Sequence, residues 1–434
     1  MGQCGVPDPA RALPASRGRS ARRERMTSID RRSFLKTAAA TGLATLPASR
    51  RARALGTAAQ DDPLGVRDDF HVTRDQTYIN ISLVGPMPTP VYEAAIEFAD
   101  AQRLTPAPAY FDSLRIRNET RAVFAELFGA KPEEIALLFS TSDAENIVTD
   151  AIDLKAGDNV VVDELHFATT FVLYRQLERT HGIELRIVPH AEGRAHFEDF
   201  AERTDSRTRL ISVAWVSNRN GFRHDVKALA DLVHGHGGLL FADGIQGIGA
   251  FPVNLHDTGV DFAVANSYKY LLSAWGAAPF YVREEHLDRI PPDRFGHNHV
   301  AETQPDFHFQ LRETAAKYEY SGSVYGTIRQ LKAALEYLGG VGLDRIEQHT
   351  VGLAKRLNAG LVDLGFDMFT PPDNPSWIVS FNHGRDRREV QELLDAEKIS
   401  VSMREGGTQI RASVGLYNNE ADIDHLLRVM ARLA

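Results

Sequence analysis

The chain has 434 residues, 43% hydrophobic and 25% charged, which is an ordinary soluble composition with material for two domains. A formal net charge of −9 argues against a nucleic-acid-binding surface. The single cysteine, Cys4, excludes an intramolecular disulfide, a cysteine-rich metal site and a catalytic thiol in the folded body.

Residues 1–54 read as a targeting region. Asp30-Arg31-Arg32-Ser33-Phe34-Leu35-Lys36 resembles a twin-arginine export motif, and the alanine-rich run behind it, 37–48, is too short and too weakly apolar to span a bilayer. Ala52-Arg53-Ala54 offers a small-x-small cleavage site, and Met26 fits a start codon; the alternative is a basic tail. Residues 1–54 hold 12 Lys/Arg against 3 Asp/Glu, so the chain beyond them carries 37 basic and 55 acidic residues, net −18. The implied location is exported or periplasmic, with the twin-arginine machinery as a partner.

Residues 55–75 are polar and read as irregular. A short strand and a Gly/Pro turn follow in Tyr78-Ile79-Asn80-Ile81-Ser82-Leu83-Val84-Gly85-Pro86, then helical patterns at 90–103 and 112–128. An apolar strand at 134–139 leads into Ser140-Thr141-Ser142-Asp143, where small hydroxyl residues opening a helix suit a phosphate. Strand 159–163 ends before His166, strand 185–189 precedes a polar helix near 195–204, and strand 209–215 ends in Ser217-Asn218-Arg219-Asn220-Gly221. Helix 226–236 precedes Leu239-Leu240-Phe241-Ala242-Asp243-Gly244-Ile245-Gln246, a buried-type strand that closes on an acid. An acid at a strand's carboxyl end lies where open α/β sheets hold ligands. Strand-like runs at 262–265 and 279–282 flank Asn266-Ser267-Tyr268-Lys269-Tyr270, and a lysine held among small and aromatic neighbours is desolvated, which lowers its pKa and suits Schiff-base chemistry. Residues 283–315 read as irregular; His297 and His299 have no evident third ligand, so no metal site is expected. Long amphipathic helices at 326–339 and 343–364 open a smaller α+β region with strands near 376–381, 398–402 and 408–412 and a last helix at 420–433. The β/α alternation predicts an α/β fold with a mostly parallel sheet covered on both faces.

The strand-end Asp-x-x-Gln with a lysine about two dozen residues later resembles the class V aminotransferase and cysteine desulfurase superfamily, fold type I, from about Tyr78 to the C-terminus. That resemblance implies pyridoxal 5'-phosphate as cofactor, an amino-acid substrate and a homodimer with the active site at the subunit interface. Beyond the signal region at 1–54 and the irregular segment at 55–75, it implies a large cofactor-binding α/β domain at 76–315 and a small α+β domain at 316–434. By the same resemblance Lys269 carries the cofactor as a Schiff base, Asp243 pairs with the pyridine nitrogen and Gln246 faces the ring hydroxyl. His166 stacks on the ring and moves protons, Thr141, Ser142 and Tyr268 hold the phosphate, and Ser323 reaches the phosphate of the neighbouring subunit. Asn218 lies near the ring hydroxyl and the substrate carboxylate, Ser82 touches substrate, and Arg411 in Gln409-Ile410-Arg411-Ala412-Ser413 clamps the α-carboxylate.

Two departures from the superfamily pattern bear on the reaction. The loop Ser402-Met403-Arg404-Glu405-Gly406-Gly407 has no cysteine where desulfurases carry their mobile nucleophile, and Arg404 there can read a second acidic group. Ser267-Tyr268-Lys269-Tyr270-Leu271 is similar to kynureninases, whereas Gln246 is desulfurase-like. The expectation is an enzyme that breaks a bond at the α-carbon of an amino acid, epimerase-like (near isopenicillin N epimerase) or C–S lyase-like and not a cysteine desulfurase. A true aminotransferase, a kynureninase-like hydrolase and a non-catalytic cofactor-binding protein remain alternatives. A nucleotide-binding enzyme does not fit, because both Gly-x-Gly-x-x-Gly and a phosphate-loop Gly-Lys-Ser/Thr are absent.

Overall fold

Apolar strands alternate with amphipathic helices, and the chain folds as that pattern dictates. The computed structural model describes residues 61–303 and 308–434. The expectations about residues 1–54 therefore lie outside the described residues.

Strand β1 (Thr77–Tyr78) is followed by helices α1 (Thr89–Leu104) and α2 (Pro106–Phe128). Then come β2 (Ile135–Leu138), α3 (Thr141–Ala151), β3 (Asn159–Asp163), α4 (Ala168–His181), β4 (Glu184–Val188), α5 (Phe197–Arg203), β5 (Thr208–Ala214), α6 (Val226–His234) and β6 (Leu239–Asp243). Strands β7 (Phe262–Val264) and β8 (Ala278–Val282) complete a seven-stranded sheet ordered β2-β8-β7-β6-β5-β3-β4. Pairs β4–β3, β3–β5, β5–β6 and β6–β7 are parallel, and β8 is antiparallel to both its neighbours. Every residue of β2, β3, β7 and β8 is buried, as expected of strands covered on both faces.

Residues 283–315, expected to be irregular, contain an antiparallel pair, β9 (Val300–Thr303) with β10 (Phe309–Leu311). The two strands run only four and three residues, too short for an alternating pattern to stand out. Helices α7 (Tyr325–Val341) and α8 (Leu343–Asp363) lead to β11 (Asp367–Met368), β12 (Ile378–Asn382), α9 (Arg387–Ala396), β13 (Ile399–Ser400), β14 (Ser402–Arg404), β15 (Gln409–Ser413) and α10 (Glu420–Met430). Strands β11-β12-β15-β14 form an antiparallel sheet.

The N-terminal segment joins this second sheet region. Strand β1 pairs in parallel with β13, and Asn80 bridges Ser413. Arg67 grips Asp422 bidentately at 2.7 and 3.0 Å, tying the same segment to α10. Asp422 also completes a capping box with Asn419, so one carboxylate both starts a helix and anchors the entry of the chain. Trp377, fully buried just before β12, packs against Phe251 and Tyr270 and so braces the lysine-bearing loop from the second sheet.

Candidate active site

The parallel strands deliver their carboxyl ends to one crevice. Ser140 caps α3 after β2, accepting the Asp143 N–H at 3.2 Å, and leaves Thr141 and Ser142 at the helix start. Strand β5 ends at Ala214, and Asn218 follows; β6 ends at Asp243 with Gln246 three residues on. Thr141, Ser142, Asn218, Asp243, Gln246, Tyr268 and Lys269 line one cavity of about 180 Å³. This is the carboxyl-end crevice where such sheets bind ligands.

Lys269 sits on a loop held rigid at its backbone. Ser267 N–H donates to Ala277 O at 2.9 Å, Leu272 N–H to Lys269 O at 3.0 Å and Gly85 N–H to Tyr268 O at 2.8 Å. A Cβ at Gly85 would lie 2.1 Å from Lys269 O, so only glycine lets the 80–88 segment press onto the lysine. Leu272 takes φ 55, a left-handed conformation costly for a branched residue, and the loop's hydrogen bonds hold it there. Tyr268 stacks on Trp275, with centroids 5.4 Å apart and planes at 22°.

The electrostatics follow from burial. Lys269 is only 8% exposed, and burial is the largest cause lowering its pKa; the Arg411 and Arg404 charges lower it further, against the pull of Asp243. Burial raises Asp243 above the usual carboxylate range, while the Ile245 N–H and Lys269 favour its charged form. Burial also brings Arg411 down to about 10, aided by Arg404. Two guanidinium groups therefore act on Lys269, and Arg411 pairs with no carboxylate among the described residues: its nitrogens donate to Asn218 O at 2.8 Å and Ser402 Oγ at 3.1 Å.

These residues fit pyridoxal phosphate. Among the described residues Asn218 Oδ1, Gln246 Oε1 and Arg411 Nε are buried without partners, as expected of groups aimed at a polar ligand. An amine, an opposing carboxylate and a helix N-terminus rich in hydroxyls match the aldehyde, ring nitrogen and phosphate of that cofactor.

Five of the expected residues are not on the cavity wall: Arg411 and Arg404 act on Lys269 from outside it, and three lie elsewhere. His166 is 2% exposed and off the cavity wall: its Nδ1 accepts the Phe167 N–H at 2.7 Å, and its Nε2 is 3.3 Å from Ser212 Oγ. Burial brings it down to about 4, so it is a neutral core imidazole. Phe167, the next residue, lines the cavity instead. Ser82 faces inward too; its hydroxyl meets Tyr270 Oη at 2.7 Å, and its carbonyl accepts from Gln246 Nε2 at 3.2 Å. It supports Gln246 from behind and does not form the cavity wall. Ser323 lines a separate cavity with Phe139, Asp143 and Arg294. Sequence reasoning missed Phe167 and Asn266 on the wall. The signal for Phe167 was its place as the N-cap of α4, which turns its side chain outward while His166 turns in.

The aminotransferase class-V family model matches residues 108–426, and a twin-arginine translocation signal model matches residues 28–48. A protein named probable cysteine desulfurase from Methanothermobacter thermautotrophicus is 28% identical over 395 residues, covering 85% of this chain and 97% of that protein. Another so named, from Pyrococcus abyssi, is 26% identical over 397 residues, covering 86% and 97%. The apo cysteine desulfurase of Thermococcus onnurineus superposes with a TM-score of 0.77 at 26% identity, covering 86% of this chain and 98% of that one. A cystine C–S lyase bound to cysteine persulfide superposes with a TM-score of 0.76 at 21% identity, covering 83% and 99%, which is a likeness of fold. With most of its length matched by the family model and its cavity built for the cofactor, the chain belongs to the aminotransferase class-V family of pyridoxal-phosphate-dependent enzymes.

Proposed function

We propose that this protein is an exported, periplasmic homodimer acting at the α-carbon of an amino acid, either C–S lyase-like or epimerase-like, without the persulfide chemistry of a cysteine desulfurase. The observation that carries this is the Lys269–Asp243 pair in one cavity, with Arg411 unpaired beside it. The relatives named desulfurases support sulfur-bearing amino acids as substrates. Against sulfur transfer to the protein stands the loop 402–407, which holds Arg404 and no cysteine.

When bound, the cofactor supplies an aldehyde that condenses with amines and a pyridinium ring that takes up electron density from the α-carbon. Thr141, Ser142 and Tyr268 would hold its phosphate at the start of α3, where the helix dipole favours negative charge. Phe167, which lines the cavity where His166 does not, would offer its apolar ring to the cofactor. Asn218 and Gln246 would face the ring hydroxyl, Gln246 with its carbonyl oxygen because its amide donates to the Ser82 carbonyl. Asp243 keeps the proton on the ring nitrogen. The positive field of Arg411, which already reaches Lys269, draws the substrate carboxylate to the cavity beside Asn218. Lys269, its pKa lowered, takes the α-proton as a neutral amine.

The test is an amino-acid panel on purified protein, with products identified by mass and chirality. Ammonia and a keto acid released from a sulfur-bearing amino acid mark elimination, and inversion of the α-carbon marks epimerisation. Stoichiometric conversion of the cofactor to its amine form, with turnover only when a keto acid is added, contradicts both and makes the enzyme a transaminase. Arg404→Ala is expected to raise KM about tenfold for substrates with a second acidic group and to leave neutral ones unchanged; equal KM values for both classes remove that role.

A further inference from the structure

Arg411 has to be aimed before it can grip a carboxylate, and its hydrogen bonds show what aims it. Two of its guanidinium nitrogens donate to neutral acceptors: Nη1 to the Asn218 carbonyl at 2.8 Å and Nη2 to the Ser402 hydroxyl at 3.1 Å. Asn218 lines the cavity, so the first bond ties the guanidinium to the cavity wall. Nε is buried without a partner among the described residues.

The Ser402 bond has a fixed direction. Ser402 Oγ lies 2.7 Å from Asn80 Oδ1, an oxygen that can only accept, so the serine's single proton goes to Asn80. The serine's lone pairs are then turned to Arg411, whose nitrogens only donate. Backbone pairing holds all three residues in place. Ser402 stands directly opposite Arg411 in the β14–β15 ladder, which puts both side chains on one face. Asn80 reaches that face from the N-terminal segment: it bridges Ser413, two residues beyond Arg411, and the Ser413 N–H donates to Ile79 O at 2.8 Å. All three residues are buried.

We propose that Ser402 and Asn80 are positioning residues for the substrate carboxylate: the hydroxyl, locked by the asparagine, aims the Arg411 guanidinium at the cavity. This rests on the reading of Arg411 as the carboxylate clamp. The supports are two carbonyl-type oxygens and a hydroxyl, none of them charged. An acid in the same place would orient the guanidinium equally well but would neutralise it, leaving less attraction for a ligand anion. The one carboxylate of the 402–407 loop, Glu405, is engaged elsewhere, 3.2 Å from Arg219. The same N-terminal segment also reaches the other half of the site. Ser82 O accepts from Gln246 Nε2 at 3.2 Å, and the Gly85 N–H donates to Tyr268 O at 2.8 Å. One short stretch therefore fixes the guanidinium relative to the loop that bears the amine.

The experiment compares two probes on the cofactor-loaded protein, L-alanine and ethylamine, which differ by the carboxylate alone. Binding is read from the change in cofactor absorbance. Ser402→Ala is expected to weaken L-alanine about tenfold, the size of one lost hydrogen bond to a charged group, and to leave ethylamine unchanged. Ser402→Thr keeps the hydroxyl and should restore most of the L-alanine affinity. A merely structural role would lower the melting temperature and weaken both probes alike; that result overturns the proposal, as does unchanged L-alanine binding in Ser402→Ala. If Ser402→Ala does not fold, Asn80→Ala carries the test: the serine proton, freed of its acceptor, is no longer held away from Arg411, and the same selective loss is expected. A wild type that binds L-alanine no better than ethylamine, or an Arg411→Ala variant that keeps the preference, overturns the carboxylate reading of Arg411 itself, and the proposal with it.

Discussion

Lys269→Ala is expected to lower turnover of the best substrate by at least about 10⁴-fold, the upper range for a positioned base. The size follows from where the amine sits. It is buried, its backbone is fixed by Gly85 and Ser267, and burial together with Arg411 and Arg404 lowers its pKa. The variant loses both the proton acceptor and the covalent tether, so its cofactor should dialyse away while the wild type stays coloured. An added amine such as methylamine should restore part of the turnover, because the deficit is a missing base and the cavity wall is intact. Lys269→Ala retaining a tenth of wild-type activity contradicts the assignment.

Asp243→Asn should cost on the order of 10³-fold in turnover, comparable to removing one preorganised electrostatic contact from a dry site. The side chain keeps its shape and its acceptor for the Ile245 N–H, which bonds Asp243 at 3.0 Å. What disappears is the charge that holds a proton on the ring nitrogen, so the loss should appear in turnover with the cofactor still bound. A second consequence concerns Lys269. The Asp243 charge raises the lysine's pKa against burial, so in the cofactor-free variant the amine should lose its proton at lower pH than in wild type. Reaction with a small amine-selective reagent across pH measures this; an unchanged profile means the two groups do not interact.

The features legible in sequence are those set by strand ends. Strand β3 was placed to the residue, and Asp243 follows as the last residue of β6; Thr141 and Asn218 follow in the turns a few residues beyond β2 and β5 that open onto the same crevice. Which of two adjacent side chains faces that crevice was not legible. His166 and Phe167 differ by one position, and their orientation depends on how Phe167 caps α4 and on Ser212 from a strand 46 residues away. Ser82 misled in the same way: its environment is made by Tyr270 and Ser413, and nothing local announces that its hydroxyl turns inward. The pairing of β9 with β10 was hidden because the strands are only four and three residues long.

The most direct measurement is borohydride reduction of the purified protein followed by peptide mass mapping. The account predicts a single pyridoxyl-phosphate adduct on Lys269, with loss of the visible absorbance on reduction. No adduct after incubation with pyridoxal phosphate, or an adduct spread over other lysines with Lys269 unmodified, would contradict it.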